Sequence, residues 1–437
     1  MIHVTNQIII LKRICSFFFL TFFLACIAFG QSGKTLSMHY SILNLIDSSA
    51  VAFAHVRVDG TSIGTVSNIE GEFILHVNDS VMEQNIIISC IGYKTKSIKI
   101  SDLISSANPI YLAVDVVFLN EVIILGSKED TIGVFLNKVI EKVKYNYPQD
   151  DFFLQGFFRQ ISQNADSASR LVEAAIDIQD PGYSKNKEKI RIRVNAFRKS
   201  NDYINYSWTI SLVKLFSGTV NQLIENYSID FIRSERKLIK EKSILGYILR
   251  LDSIIGKDGD KIACISYNSD PNKSGPYFIG TIFVNLADLA IVRMEYAWAA
   301  HPTFKFPRQD LVFYQGKYRF KHRVEYQKVG SKYYPLLISV FEPVDGVTGD
   351  FNKLQYREST ILINQIFSNK KEYSKIRRRE TELADTDIYE KKMPYDIEFW
   401  STYNIVLVNP LKNKDRFSLE FEESLDTQFR KHGSKRK

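Results

Sequence analysis

The string Gly60-Thr61-Ser62-Ile63-Gly64 fits G-x-S-x-G, the pattern that holds a serine nucleophile on a strained turn between a buried strand and a helix. The residues that follow, TVSNIEGEF, read as strand and turn, so the support this chemistry needs is missing and Ser62 reads as a turn residue. Beyond the first thirty residues the histidines are His39, His55, His76, His301, His322 and His432, scattered along the chain. His55 and His76 are the two that one small β-domain could bring together, and two imidazoles without a third ligand make a poor zinc site. The sequence contains no H-E-x-x-H, no paired C-x-x-C and no phosphate-cradling G-x-x-x-x-G-K-S/T. Asp258-Gly259-Asp260 and Asp345-Gly346 lack the alternating oxygen ligands of a calcium loop and read as turns. Arg159, Glu173, Arg198, Asp202, Arg293 and Glu295 lie in or beside expected strands. Pairs among them either tie strands together or line a groove, and the sequence does not choose. No catalytic, cofactor-binding or metal-binding residue is assigned, no cofactor is expected, and the chain reads as non-catalytic. A hydrolase with an unrecognised site is the enzymatic alternative.

The elements that would position these residues begin after residue 30. Lys12 and Arg13 precede ICSFFFLTFFLACIAFG, an uncharged stretch that ends in small residues. A basic start, an apolar middle and an Ala28-Phe29-Gly30 end describe a secretory signal cleaved after Gly30, and the run is short for a spanning helix. Cys26, after Leu24-Ala25, offers lipidation as a second reading, although Phe23 departs from the usual aliphatic residue and the apolar run continues past the cysteine. The chain is therefore expected to be exported, to the periplasm or in association with an outer membrane, and not integral in a membrane once the signal is removed.

The whole chain carries a net charge of +8. Its two basic clusters, KKEYSKIRRR at 370–379 and the terminal RKHGSKRK, read as solvated surface and a loose tail. Nucleic acid is not expected as a partner of an exported chain without a recognition motif. An envelope protein, a lipid or a glycan is. Cys90 and Cys264, each in apolar surroundings, read as buried and unpaired.

Residues 33–125 form short alternating runs about ten residues apart, punctuated by Gly60, Gly64 and Gly71, which argues for a small all-β sandwich. Residues 126–150 hold a linker and a helix: Ile132, Phe135, Leu136, Val139, Ile140 and Val143 fall at helical spacing, and Pro148 ends it. Residues 151–410 read as a β-rich α+β domain with mixed or helical structure at about 205–250. KIRIRV places Ile190, Ile192 and Val194 on one face and Arg191 and Arg193 on the other. GTIFVNLADLAIVRMEYAW reads as a hairpin with Val292, Met294, Tyr296 and Trp298 on one face and Arg293 and Glu295 on the opposite one. A further hairpin turns around Val329-Gly330-Ser331. Residues 411–437 read as a charged tail.

The G-T-x-x-G-T turn from Gly60 to Thr65, the N-x-x-G-x-F hairpin from Asn68 to Phe73, Gly92-Tyr93 and the final strand from Leu119 to Val122 resemble the carboxypeptidase-regulatory-like domain of exported Bacteroidota proteins. The resemblance implies a seven-stranded, prealbumin-like β-sandwich without catalytic residues of its own. Too few residues follow Leu125 for the outer-membrane importers that share this domain, whose barrels need about twenty strands of about ten residues. FFRQ, LVEAAIDI, NAFRKSND and EFWSTYNIVLVNP resemble the region that accompanies the domain in such proteins. The GTIFVN…AIVRMEY hairpin is also similar to periplasmic lipoprotein carriers, whose curved antiparallel sheet holds an acyl chain. The expectation is a mainly β protein, sandwich first and curved sheet second. Its role is binding or scaffolding, with a lipid or lipoprotein carrier or chaperone as the alternative. The aromatic-rich face of the sheet is either packed core or the wall of an apolar pocket.

Overall fold

The computed structural model describes residues 35–61, 63–105, 108–115, 129–164, 167–184, 189–203, 227, 232, 247–257, 259–269, 277–299, 320–343, 355–368, 373–382, 388–406 and 418–433. Among the described residues, seven strands build the N-terminal sandwich: β1 (Thr35–Asn44), β2 (His55–Val58), β3 (Gly64–Val66), β4 (Glu72–Asn78), β5 (Asn85–Ser89), β6 (Lys96–Lys99) and β7 (Ile110–Leu112); the expected strand Leu119–Val122 lies outside them. They form two sheets, ordered β4-β1-β7 and β3-β2-β5-β6. Alternation drives the packing. Phe73, Leu75 and Val77 of β4 are buried against Ile42, Val56 and Ile88, while the intervening residues face outward. Gly71 makes the β4 entry possible: its φ is +79°, and a Cβ there would stand 2.3 Å from the Ile42 carbonyl oxygen. A short helix, α1 (Ile100–Ile104), caps one end of this core with Ile100 and Leu103.

The helix α2 (Glu129–Asn146) leads into the second domain. Ten strands follow: β8 (Phe152–Asn164), β9 (Ser167–Asp180), β10 (Arg191–Lys199), β11 (Tyr247–Lys257), β12 (Asp260–Ser269), β13 (Tyr277–Asn285), β14 (Ala290–Ala299), β15 (Phe320–Val329), β16 (Lys332–Pro343) and β17 (Gln355–Phe367). They pair antiparallel in one sheet ordered β10-β9-β8-β17-β16-β15-β14-β13-β12-β11. The expected hairpins are present at β13–β14 and at β15–β16, where Gly330 takes a φ of +61°. The register shifts at Val194/Ala196, Leu251/Ser253, Phe283/Val284, Glu325/Tyr326, Ile363/Gln365 and Ser162/Gln163. Such bulges bend their strands and increase local twist, so the sheet is curved.

The two faces of this sheet differ row by row. Following the cross-strand register, Ile265, Ile282, Met294, Val324, Ile338, Ile361, Phe158, Ala174 and Phe197 lie side by side across nine strands. All nine are apolar and at most 3% exposed. This inner face receives α2, through Leu136 and Val139, and Tyr147 just beyond it. One residue along, the opposite face carries Ser266, Thr281, Glu295, Arg323, Ser339, Thr360, Arg159, Glu173 and Arg198 in the same register. The sandwich and the C-terminal segments pack on this outer face. Val66 of β3 joins Phe157, Leu337, Leu362 and Trp400 in one cluster.

The charged residues of the outer face tie strands together. Arg159 Nε donates to Glu173 Oε1 at 2.6 Å and Arg198 Nε to Glu173 Oε2 at 2.5 Å, joining β8, β9 and β10. Burial alone would raise the Glu173 carboxyl, but the two arginines hold it below its ordinary value. Arg198 stacks 4.3 Å over Trp400 in α3 (Ile397–Thr402) and 5.1 Å from Phe429 in α4 (Leu425–Gly433). The segment read as a loose tail is therefore anchored in part, because Gln428 and Phe429 of α4 bury against the sheet edge. Ile376, within the basic cluster read as surface, is fully buried for the same reason, and Tyr373 stacks on Phe153 at 4.8 Å.

The sandwich joins the sheet through a second buried acid. His55 Nε2, on β2, contacts Glu325 Oε2, on β15, at 2.8 Å. Arg323 also binds Glu325, and Arg293 lies 3.7 Å away. Gly92 N donates to Gly256 O at 3.1 Å, and His76 N to Asn404 Oδ1 at 2.8 Å.

Two outcomes follow from these buried charges. Glu173→Ala leaves the buried Arg159 and the partly buried Arg198 without their carboxylate and lowers unfolding stability by about 3–5 kcal/mol, read from urea denaturation. Burial depresses the His55 pKa from its ordinary 6.5 more than Glu325 raises it. The unfolded chain then binds the proton first, so stability falls as pH drops below about 6.5 towards the folded-state pKa. Glu325, held well below its ordinary 4.5 against burial by Arg323, His55 and Arg293, adds a second loss below about 4.5. His55→Gln keeps an N–H donor and flattens the first decline, measured as denaturation midpoint against pH. Equal slopes in the two proteins contradict this account.

Candidate functional site

Next to the all-apolar row, two residues nearer the end from which β14 leads to β15, the inner face changes character. Tyr267, Gly280, Tyr296, His322, Val340, Ser359, Gln160, Val172 and Lys199 form that row in register. Tyr296 Oη and His322 Nδ1 share a hydrogen bond of 2.5 Å, and Gln160 Nε2 donates to Ser359 Oγ at 3.3 Å. Tyr267 Oη and Gln160 Oε1 are buried and have no hydrogen-bond partner among the described residues. Gly280 makes room for the Tyr267 ring, since a Cβ there would stand 2.4 Å from Tyr267 Oη. Burial, with the neighbouring Tyr296 and Tyr247, pushes the Tyr267 phenol well above its ordinary value, so it stays a neutral donor.

The opposite end of the inner face is closed by aromatic rings. Tyr147 donates to the Ile291 carbonyl at 2.6 Å and meets Tyr326 edge-on at 5.4 Å, and Phe152 meets Tyr334 edge-on at 5.3 Å. The inner face thus runs from an aromatic plug, across a continuous apolar band, to a polar band with unengaged hydrogen-bonding atoms.

A second feature lies between the domains. A cleft of about 720 Å³ is walled by β2, β3 and β5 on one side and by the β11–β12 and β15–β16 turns on the other. His55 lines it, so the His55–Glu325 contact forms part of its boundary.

The residues singled out in the sequence are dispersed. Ser62 lies outside the described residues, and its flanks are the strands β2 and β3 of a hairpin. His55 and His76 are engaged separately, His76 Nδ1 with Ser37 Oγ at 2.8 Å. His432 Nε2 contacts Asn201 Oδ1 at 2.9 Å. His301, Asp258, Asp345 and Gly346 lie outside the described residues. Gly259, at φ +83°, serves the β11–β12 hairpin. No group of three or more His, Cys, Asp or Glu among the described residues is placed to hold a metal ion. Cys264 is buried, but Cys90 is only half-buried because it sits at the domain junction. Burial pushes its thiol up to about 11, with the Glu325 charge adding to the effect, so it is protonated and unreactive near neutrality. Arg159, Glu173 and Arg198 form the strand tie, Arg293 and Glu295 lie 3.5 Å apart, and Asp202 lies 3.8 Å from Arg170. Sequence reasoning missed Glu325, Tyr267, Gln160 and Lys257, for none of them stands in a motif.

Among solved structures, a LolA superfamily protein from Nitrosomonas europaea is 11% identical, covering 57% of this chain and 97% of its own, with a TM-score of 0.21. A DUF1329 family protein from Desulfovibrio piger is 8% identical, covering 52% of this chain and 90% of its own, also with a TM-score of 0.21. No curated relative matches the chain. Residues 42–124 match the CarboxypepD_reg-like domain family, which accounts for the N-terminal sandwich.

Proposed function

We propose that this chain is an exported, non-catalytic carrier that holds an amphiphile, its apolar body along the inner face of the ten-stranded sheet and its polar end at the Tyr267–Gln160 band. The observation that carries the reading is the pairing of two rows. An unbroken apolar row across nine strands borders a row in which Tyr267 Oη and Gln160 Oε1 are buried without partners among the described residues. Buried polar atoms are nearly always satisfied, and an unsatisfied one in a native fold calls for a reason. An oxygen-rich head group supplies an acceptor to Tyr267, and its hydroxyl or amide supplies a donor to Gln160. The rest of the molecule replaces side-chain contacts along the apolar row at no loss of hydrogen bonds.

On this reading the sandwich is a docking module, seated on the polar outer face, and the cargo shares the inner face with α2. A lipid or the lipid-bearing end of an envelope protein is the class of partner. Export rests on the N-terminal sequence pattern, and no described helix is long and apolar enough to cross a membrane. The Bacteroidota origin rests on the motifs of the sandwich alone.

The test is fluorescence titration of the purified chain with dansyl-undecanoate, alongside native mass spectrometry for co-purified lipid. Saturable binding is expected. Tyr267→Phe keeps the ring and deletes the unengaged hydroxyl, weakening binding by about three- to tenfold. No saturable binding, or equal affinity in the wild type and Tyr267→Phe, removes the proposal.

A further inference from the structure

The cleft between the domains has a chemistry opposite to that of the inner face. Its volume of about 720 Å³ is within the usual range of ligand pockets, about 300–1,000 Å³, and its place between two domains is a common one for them. The sandwich contributes Arg57, Thr61 and Ile87, and the sheet contributes Lys257, Gln327 and Gln365. Lys328 and Asp260 complete the charged lining. Three cations therefore face one acid, and that acid already accepts from Asn285 Nδ2 at 2.6 Å. Arg57 is held loosely by Asp59 at 3.2 Å, both side chains being half-exposed, and Lys328 is held by Asp288 at 2.7 Å. Lys257 makes no ion pair among the described residues, and the side chains of Gln327 and Gln365 make no hydrogen bond there.

Those groups select the occupant. An acyl chain would strip water from two amides and an ammonium and return nothing. A peptide strand finds little edge to join on the sandwich wall, because β2 and β5 are each paired on both sides and the edge strand β3 is only three residues long. A ligand rich in hydroxyls matches the free amides. A carboxylate or phosphate on it matches Lys257 and Arg57, one from each domain. The aliphatic surface of Ile63 and Ile87 suits the C–H face of a sugar ring. We infer that this cleft is a second binding site, for an acidic saccharide, which bridges the sandwich and the sheet.

The experiment is calorimetric titration of the purified chain with tetragalacturonate, maltotetraose and tetraglutamate at low and at physiological salt. Tetragalacturonate is expected to bind at least about tenfold more tightly than maltotetraose, and to weaken as salt rises. Lys257→Glu reverses the charge at the mouth and weakens tetragalacturonate by about tenfold or more, and Gln327→Trp fills the cleft and removes binding. Both variants keep dansyl-undecanoate binding, which separates this site from the inner face. Four results overturn the inference: no saturable tetragalacturonate binding, equal affinity for maltotetraose, tighter binding of tetraglutamate, or no effect of Lys257→Glu.

Discussion

A carboxylate buried on the outer face of the sheet is stable only while it is surrounded by positive charge and hydrogen-bond donors, and the placing of Glu325 and Glu173 organises the whole molecule around that requirement. Glu325 takes Arg323 and Arg293 from the sheet and His55 from the sandwich. The N-terminal sandwich therefore completes the solvation of an acid in the sheet domain. Removing the sandwich would expose a charge network built to be covered. Glu173 plays the same part at the other end of the sheet, where Arg159 and Arg198 neutralise it and Trp400 and Phe429 lie over the Arg198 guanidinium. Both acids lie on the outer face, which leaves the inner face free of any buried acid along its apolar row.

That separation of faces depends on register. A slip of one residue would exchange the apolar row for the charged row on every strand, so the pairing is strongly specified. The bulges sit where this alternation must be broken. At Glu325/Tyr326 the extra residue on β16 brings Leu336 and Leu337 together into the outer cluster with Phe157, Leu362 and Trp400. The outer face thus gains apolar surface where the sandwich and α3 dock, while Glu325 and Tyr326 keep pointing to opposite sides. The same bulges bend the strands, and curvature lets α2 and the aromatic plug around Tyr147 close one end of the inner face.

Local pattern made much of the fold legible in the sequence. The alternation of KIRIRV and AIVRMEYAW assigned Ile192, Val194, Val292, Met294 and Tyr296 to one side and Arg193, Arg293 and Glu295 to the other, as the structure has them. The small β-sandwich followed from turn glycines and short alternating runs; seven strands were what the family resemblance implied, and its expected final strand, Leu119–Val122, lies outside the described residues. What stayed illegible depends on strand order. His55 meets Glu325 across 270 residues, and β17 inserts beside β8 after a long excursion. The polar band is visible only once Tyr267, Tyr296, His322, Ser359 and Gln160 are aligned across strands that no sequence pattern puts next to each other. Residues 411–437 looked like a charged tail because α4 hides a short apolar contact, Phe429, among charges, while Arg430 and Lys431 of the terminal basic stretch are exposed.

The strand β15 shows why a sheet of this kind is suited to two unlike ligands. Its successive side chains alternate between His322 and Val324, on the inner face, and Arg323, Glu325 and Gln327, on the outer face towards the sandwich and the cleft. One backbone thus supplies an apolar wall with a polar end on one side and a charged, hydrogen-bonding wall on the other, separated by the thickness of a single sheet. Antiparallel sheets tolerate this asymmetry because each face is built independently from alternate residues, whereas a helix of the same length would have to divide one circumference. The cost is that the polar face must be covered wherever its charges are not solvated. The sandwich covers one end, α3 and α4 the other, and the cleft is the stretch between the sandwich and the hairpin turns where the cover stands off the sheet.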